Sequence, residues 1–263
     1  MQDILQEIVA FKRVEVEQQK QRVSPRDLYA RVERIMADGV NTRSMSRSLA
    51  ASPYGIIAEF KRKSPSKGWI HEDAQPADVV PKYAAAGASA LSILTDSKYF
   101  GGRLEFVMQV RECVNIPILR KEFIIDEYQL FEARSVGADA VLLIAADLRK
   151  EDCRTLTRTA HELKLEVLLE MHSEAELDYL ECNPDMAGIN NRNLGTFHTD
   201  VANSFRLAEK MATEAVKVSE SGISNPETVR HLREAGFRGF LMGECFMKEP
   251  DPGLALKQFI EAI

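Results

Sequence analysis

From residue 55 onward, the hydrophobic positions come in short, nearly unbroken runs: 56–60, 90–94, 117–119, 140–145, 166–169, 186–189, 215–218 and 239–242. Runs of this length without polar alternation suit strands covered on both faces, as in a parallel sheet. Between them, the stretches 76–86, 104–113, 127–136 and 151–163 space their apolar residues as amphipathic helices do. Three helix-to-strand junctions repeat one signature, at 86–88, 136–138 and 235–237, each centred on a glycine able to take the left-handed conformation that closes a helix. Eight strands alternating with helices in roughly 200 residues predict an α/β fold, a single (β/α)8 TIM barrel. A doubly wound open sheet is the alternative, but its Gly-x-Gly-x-x-Gly turn follows none of these strands.

The barrel is assigned to residues 53–263, and residues 1–52 are read as an N-terminal helical extension packing on it. Ile4, Ile8 and Phe11 begin a first helix that continues through a polar run to Arg22. A second opens at Ser24-Pro25, where serine can cap and proline suits the first turn. It carries Leu28, Val32 and Ile35 inward and ends near Gly39. Both helices read as packing elements without chemistry.

Composition narrows the partners. The 263 residues hold 34 Lys+Arg against 40 Asp+Glu, a net charge of −6, which argues against a nucleic-acid partner. The apolar stretch 140–146 falls far short of the roughly 18 residues of a membrane span, so no membrane partner is expected. The first ten residues carry acids and no basic segment, unlike a signal peptide. Four cysteines (Cys113, Cys153, Cys182, Cys245) lack paired spacing, which fits a reducing cytoplasm and offers no zinc site. A monomer is admissible, and nothing in the chain settles its oligomeric state.

A barrel places its active site at the C-terminal ends of its strands. Charged and amide residues gather there: Glu59 and Lys61 after the first, Lys121 after the third, Glu170 in the fifth, Asn190 after the sixth and Glu220 in the seventh. One buried acid would be ordinary as a paired structural residue. Several strand ends carrying such groups point to catalysis, with lysines that meet an anion or donate protons and glutamates that accept them. Burial favours a neutral Glu170 whereas neighbouring lysines favour the carboxylate, and the lysines are expected to win. The turns Ser221-Gly222 and Gly243-Glu244 follow strands seven and eight, where barrels commonly hold phosphate, and Ser64 and Lys61 could complete that site. Of five histidines, His172 directly after the fifth strand is the candidate for the mouth. Metalloprotease, Walker and nucleophile-elbow motifs are absent.

The segments 57–68, 94–96, 119–126, 188–194 and 219–223 together resemble the indole-3-glycerol phosphate synthase family, in order over nearly the whole chain. The resemblance implies ring closure of 1-(2-carboxyphenylamino)-1-deoxyribulose 5-phosphate, with loss of CO2 and water. It implies Lys121 as general acid, Lys61 as partner of the substrate carboxylate, and Glu170 as acid–base of the dehydration supported by Glu59. Asn190 and Glu220 would position hydroxyls and the charge network. Ser64, Arg192, Ser221, Gly222 and Gly243 would bind phosphate and substrate. Phe100, Phe123, Leu142, Ile144, Leu168 and Leu194 would wall the aromatic ring, and the N-terminal extension would help cover the barrel mouth. No cofactor and no metal are implied, because ring closure itself creates an iminium electron sink beside the carboxylated carbon. A phosphoribosylanthranilate isomerase would need a Cys/Asp pair where Lys and Glu stand. A silent phosphometabolite-binding barrel is the rival outside enzymes, and a turnover assay separates it.

Overall fold

A computed structural model describes residues 4–193, 195 and 197–263. Eight parallel strands close a barrel in sequence order: β1 (Ile56–Phe60), β2 (Ala90–Leu94), β3 (Ile118–Lys121), β4 (Ala140–Ile144), β5 (Glu166–Met171), β6 (Met186–Asn190), β7 (Val216–Glu220) and β8 (Gly239–Met242). Closure is made by β1 against β8, with Ile56 opposite Phe240 and Ala58 opposite Met242. Strands β3, β5, β6 and β7 run beyond the apolar stretches that announce them. Lys121, Glu170, Asn190 and Glu220 therefore belong to the ladder itself, because partners on neighbouring strands continue the backbone pairing whatever the side chain.

Side chains alternate between the two surfaces of each strand. One set (Ile56, Ala58, Leu91, Val141, Leu169 among them) packs against the surrounding helices. The other (Ile57, Leu119, Leu168, Met186, Val218, Leu241) fills the barrel interior as a separate cluster. At the helix-to-strand junctions Gly87, Gly137 and Gly236 all have positive φ, as their position requires.

Three helices precede the barrel. α1 (Ile4–Arg22) and α2 (Pro25–Ala37) lie where periodicity puts them, with Ser24 accepting from the Asp27 backbone N–H. A third, α3 (Met45–Ala51), is not announced by the sequence, since seven residues give too little periodicity. It is nonetheless central to packing. Met45 and Leu49 are fully buried in the barrel-interior cluster, closing the end opposite the mouth. Its N-terminus is tied down by Glu166, which accepts from Ser44 Oγ at 2.6 Å and the Ser46 backbone N–H at 2.7 Å.

The helices after the strands are α4 (Pro76–Ala85), α5 (Glu105–Arg111), α6 (Glu127–Ser135), α7 (Lys150–Glu162), α8 (Ala202–Ala208), α9 (Pro226–Glu234), α10 (Glu244–Met247) and α11 (Pro252–Glu261). No described helix is long and apolar enough to cross a membrane.

Candidate active site

The strand ends converge on a cavity of about 340 Å³. Glu59, Lys61, Ser64, Phe100, Lys121, Phe123, Leu142, Glu170, Asn190, Arg192, Glu220, Ser221, Gly222 and Gly243 all line it. Leu194 lies outside the described residues.

Alternation along β1 carries Glu59 and Lys61 onto one inward line, with Lys61 Nζ 2.6 Å from Glu59 Oε1. Lys121 closes β3 and places its Nζ 3.3 Å from Glu170 Oε2 and 4.0 Å from Glu220 Oε2. Asn190 Nδ2 donates to Glu170 Oε1 at 3.1 Å. Two glycines make room for this crowd. A Cβ on Gly188 would stand 2.2 Å from Glu220 Oε1, and one on Gly243 would stand 2.8 Å from Glu59 Cβ. The close approach of a carboxylate explains Gly188, whose role its sequence context does not disclose.

The charges are unequal in a useful way. Burial alone would raise the pKa of Glu59, but Lys61 and Lys121 outweigh it and hold the group below its ordinary value. Burial likewise opposes ionisation of Glu170, yet Lys121, then His172 and Asn190, hold it well below the usual carboxylate range. Lys121 is correspondingly a firmly held cation, since Glu170, Glu220 and Glu59 overcome its desolvation. Glu220 goes the other way: burial and the charge of Glu170 push it up to about 8 against the pull of Lys121. Among the described residues, neither of its carboxylate oxygens accepts a hydrogen bond. Paired acids whose surroundings drive their pKa values apart are the arrangement acid–base chemistry uses.

A polar rim adjoins the charged centre. Ser221 and Gly222 take consecutive positive φ angles of 67° and 78°. A Cβ on Gly222 would meet the Thr199 side chain, whose Oγ1 accepts from Arg192 Nε at 3.3 Å. Arg192 also reaches Ser66 Oγ at 3.4 Å and Glu244 Oε2 at 3.3 Å. Ser66 lies 3.5 Å from Ser64 through their hydroxyls. Hydroxyls, a guanidinium and a glycine turn thus form one continuous edge suited to an anion.

Apolar groups supply the remaining wall. Phe100 and Phe123 have ring centroids 5.9 Å apart, tilted at 38°. Leu142 and Ile144 border the cavity beside them. Leu168, expected in this wall, does not reach it. It shares the inward face of β5 with Glu170 but sits two residues lower, in the interior cluster with Met45 and Leu49.

Other lining residues escape sequence reasoning. Ile4, Leu5 and Ile8 of α1 roof the cavity, so the first helix is part of the site and more than packing. Their helical spacing announces an apolar face, and the family resemblance implies an extension that helps cover the mouth; which residues do so is visible in the fold. The same helix buries Lys12, 1% exposed, whose Nζ lies 2.9 Å from Asp96 Oδ2 and 3.0 Å from Glu122 Oε1. His172 is not in the lining; its ring lies behind Glu170. Among the described residues, no group of three His, Cys, Asp or Glu side chains could hold a metal ion.

A mouth of this kind, with proton-carrying side chains between an anion-binding edge and an apolar wall, defines the class: barrel enzymes that act on small phosphorylated molecules. A narrower statement comes from comparison with known proteins. Residues 5–259 match the family model described as indole-3-glycerol phosphate synthase. An indole-3-glycerol phosphate synthase of Bacteroides thetaiotaomicron is 61% identical over 263 residues, covering 100% of both chains. One from Polaromonas naphthalenivorans is 42% identical, covering 98% of each. Among solved structures, a thiamine phosphate pyrophosphorylase from Pyrococcus furiosus superposes with TM-score 0.60 at 16% identity, over 80% of this chain and 95% of that one, and so shares the barrel alone. This chain belongs to the indole-3-glycerol phosphate synthase family.

Proposed function

We propose that this chain closes the indole ring of 1-(2-carboxyphenylamino)-1-deoxyribulose 5-phosphate, releasing CO2 and water to give indole-3-glycerol phosphate. The observation that carries the reading is the 3.3 Å pair of Lys121 and Glu170 at the centre of the cavity. Lys121 donates a proton to the ribulose carbonyl oxygen as the carboxylated ring carbon attacks. The developing alkoxide is a stronger base than a lysine amine, so even a firmly held proton moves to it. The new C–C bond leaves an iminium next to the carboxylated carbon, and CO2 departs with its bonding electrons returned to the ring. Glu170, held ionised, then takes a proton from the methylene beside the former carbonyl carbon, and the hydroxyl on that carbon leaves as water with a proton supplied by Lys61, which lines the same cavity.

Lys61 is engaged with Glu59 and meets the substrate carboxylate by sharing that pair. Asn190 and Glu220 position the sugar hydroxyls. Ser64, Arg192, Ser221, Gly222 and Gly243 take the phosphate, and Phe100, Phe123 and Leu142 bend the aromatic ring into an attacking geometry. No cofactor enters this scheme. The chain is read as a monomer acting on a small-molecule substrate. Four free cysteines accord with a cytoplasmic setting.

Incubation of the purified chain with the carboxyphenylamino-ribulose phosphate should generate indole fluorescence with stoichiometric CO2. Absence of both would overturn the proposal.

A further inference from the structure

The residue after β5, His172, lies outside the cavity yet touches its central acid. His172 Nε2 is 3.3 Å from Glu170 Oε1, and Nδ1 is 3.7 Å from Glu176 Oε2. Glu176 Oε2 also accepts the His172 backbone N–H at 2.6 Å. The His172 carbonyl accepts from Asn203 Nδ2 of α8 at 3.1 Å, which pins the backbone at this point. Both ring nitrogens are shielded from solvent and, among the described residues, make no aligned hydrogen bond, and each has a carboxylate beside it.

A neutral imidazole here would turn a lone pair towards one of two carboxylates. The protonated ring faces both with N–H groups, which favours the cation. Glu170 and Glu176 accordingly outweigh burial and push the His172 pKa up to about 10. The titratable groups around the ring are Glu170 on β5, Glu176 in the 3-10 helix that follows (Glu174–Cys182) and Glu220 on β7, with neutral Asn203 on α8.

Glu170 therefore has two cations, and only one of them enters the proposed chemistry. When Lys121 gives its proton to the substrate oxygen, Glu170 loses that support at the stage before it must act as a base. We propose that His172, backed by Glu176, is a positioning residue that keeps Glu170 ionised and oriented after Lys121 has discharged. The inference rests on the roles assigned above to Lys121 and Glu170.

The test compares His172→Gln and Glu176→Gln with the wild type, and repeats His172→Gln in a Glu170→Gln background. Removing the cation lets the Glu170 pKa rise, so ionisation begins at higher pH. In His172→Gln the acid limb of the kcat profile should move up by about one pH unit, with kcat about tenfold lower and KM changed less than about twofold. Glu176→Gln should shift the limb in the same direction by less, and it preserves the test if His172→Gln folds poorly. In the Glu170→Gln background the His172 change should cost nothing more, because its effect passes through Glu170. An unmoved acid limb in both variants, or an equal loss in the Glu170→Gln background, would overturn the inference. A wild-type chain that makes no indole product would instead overturn the function itself.

Discussion

Lys121 and Glu122 are consecutive residues, yet they belong to two buried charge networks with different fates. Lys121 points into the barrel, towards Glu170, Glu220 and Glu59. Glu122 turns the other way, to Lys12, Thr95 and Arg120, at the border of the cavity. In the outer network nearly every oxygen is answered. Asp96 Oδ1 accepts from the backbone of Tyr99 and Phe100, and its Oδ2 takes Lys12. Glu122 accepts from Thr95 Oγ1 at 2.7 Å and from the Phe123 backbone, and Arg120 donates to Glu132 at 3.1 Å. In the inner network Glu220 accepts nothing, and it is crowded by the charge of Glu170. A satisfied buried network rigidifies; an unsatisfied one is held in reserve for a ligand. The outer network fixes the segments that carry Phe100 and Phe123, and the inner one is proposed to act on the substrate they wall.

That division predicts opposite phenotypes. The largest effect on activity is expected for Lys121→Met, which removes the proposed carbonyl acid. Turnover should fall by about four orders of magnitude, while ligand affinity and circular dichroism remain near wild type. Retained turnover would move the acid to Lys61. Glu170→Gln keeps the shape and the Asn190 contact but cannot take a proton, and kcat should drop by roughly two to four orders of magnitude. Rapid quench of this variant should reveal a decarboxylated, still hydrated species, and a kcat near wild type would make Glu170 a mere ion-pair partner.

In the outer network the loss should appear in stability. Lys12→Met leaves Asp96 and Glu122 buried without their main cation, a change worth about 3–5 kcal/mol of unfolding free energy. Denaturant titration measures it, and kcat of the folded fraction should stay within about tenfold of wild type. Deleting residues 4–22 removes both Lys12 and the Ile4, Leu5 and Ile8 roof, so stability should fall and KM rise together. A fall in kcat without loss of stability in Lys12→Met would erase the distinction between the networks.

The inner network is the more legible of the two from sequence. Acids and lysines at the ends of apolar runs conflict with burial, and that conflict is visible residue by residue at Glu59, Lys121, Glu170 and Glu220. The outer network is hidden because Lys12 stands in a run of Glu, Gln and Lys that looks like a solvated helix face. Only the docking of α1 over the segments that follow β2 and β3 turns it inward. α3 is missed for a related reason: its two buried residues, Met45 and Leu49, matter through what they plug, and a seven-residue helix announces no period. Leu168 shows the limit of alternation, which tells which face a residue takes but not its height in the barrel. His172 follows a strand end as the candidate catalytic groups do, and only the fold shows that it stands behind the acid.

The smallest effect falls on Glu220, and it tests whether an unanswered carboxylate costs stability. Its folded-state pKa lies above the ordinary 4.5, so the folded chain binds this proton more tightly than the unfolded one. Stability from this group is therefore greatest at acid pH and declines as pH rises from about 4.5 towards 8, where the folded group finally ionises. Glu220→Gln fills the same space beside Gly188, carries no charge to repel Glu170, and leaves no proton to lose. Relative to wild type it should gain on the order of 1 kcal/mol at pH 8 and little at pH 5, with kcat lowered through looser hold on the sugar hydroxyls. Urea titrations at the two pH values read the difference directly. If Glu220→Gln is less stable than wild type at pH 8, the carboxylate is satisfied in some other way and the contrast between the two networks fails at its central residue.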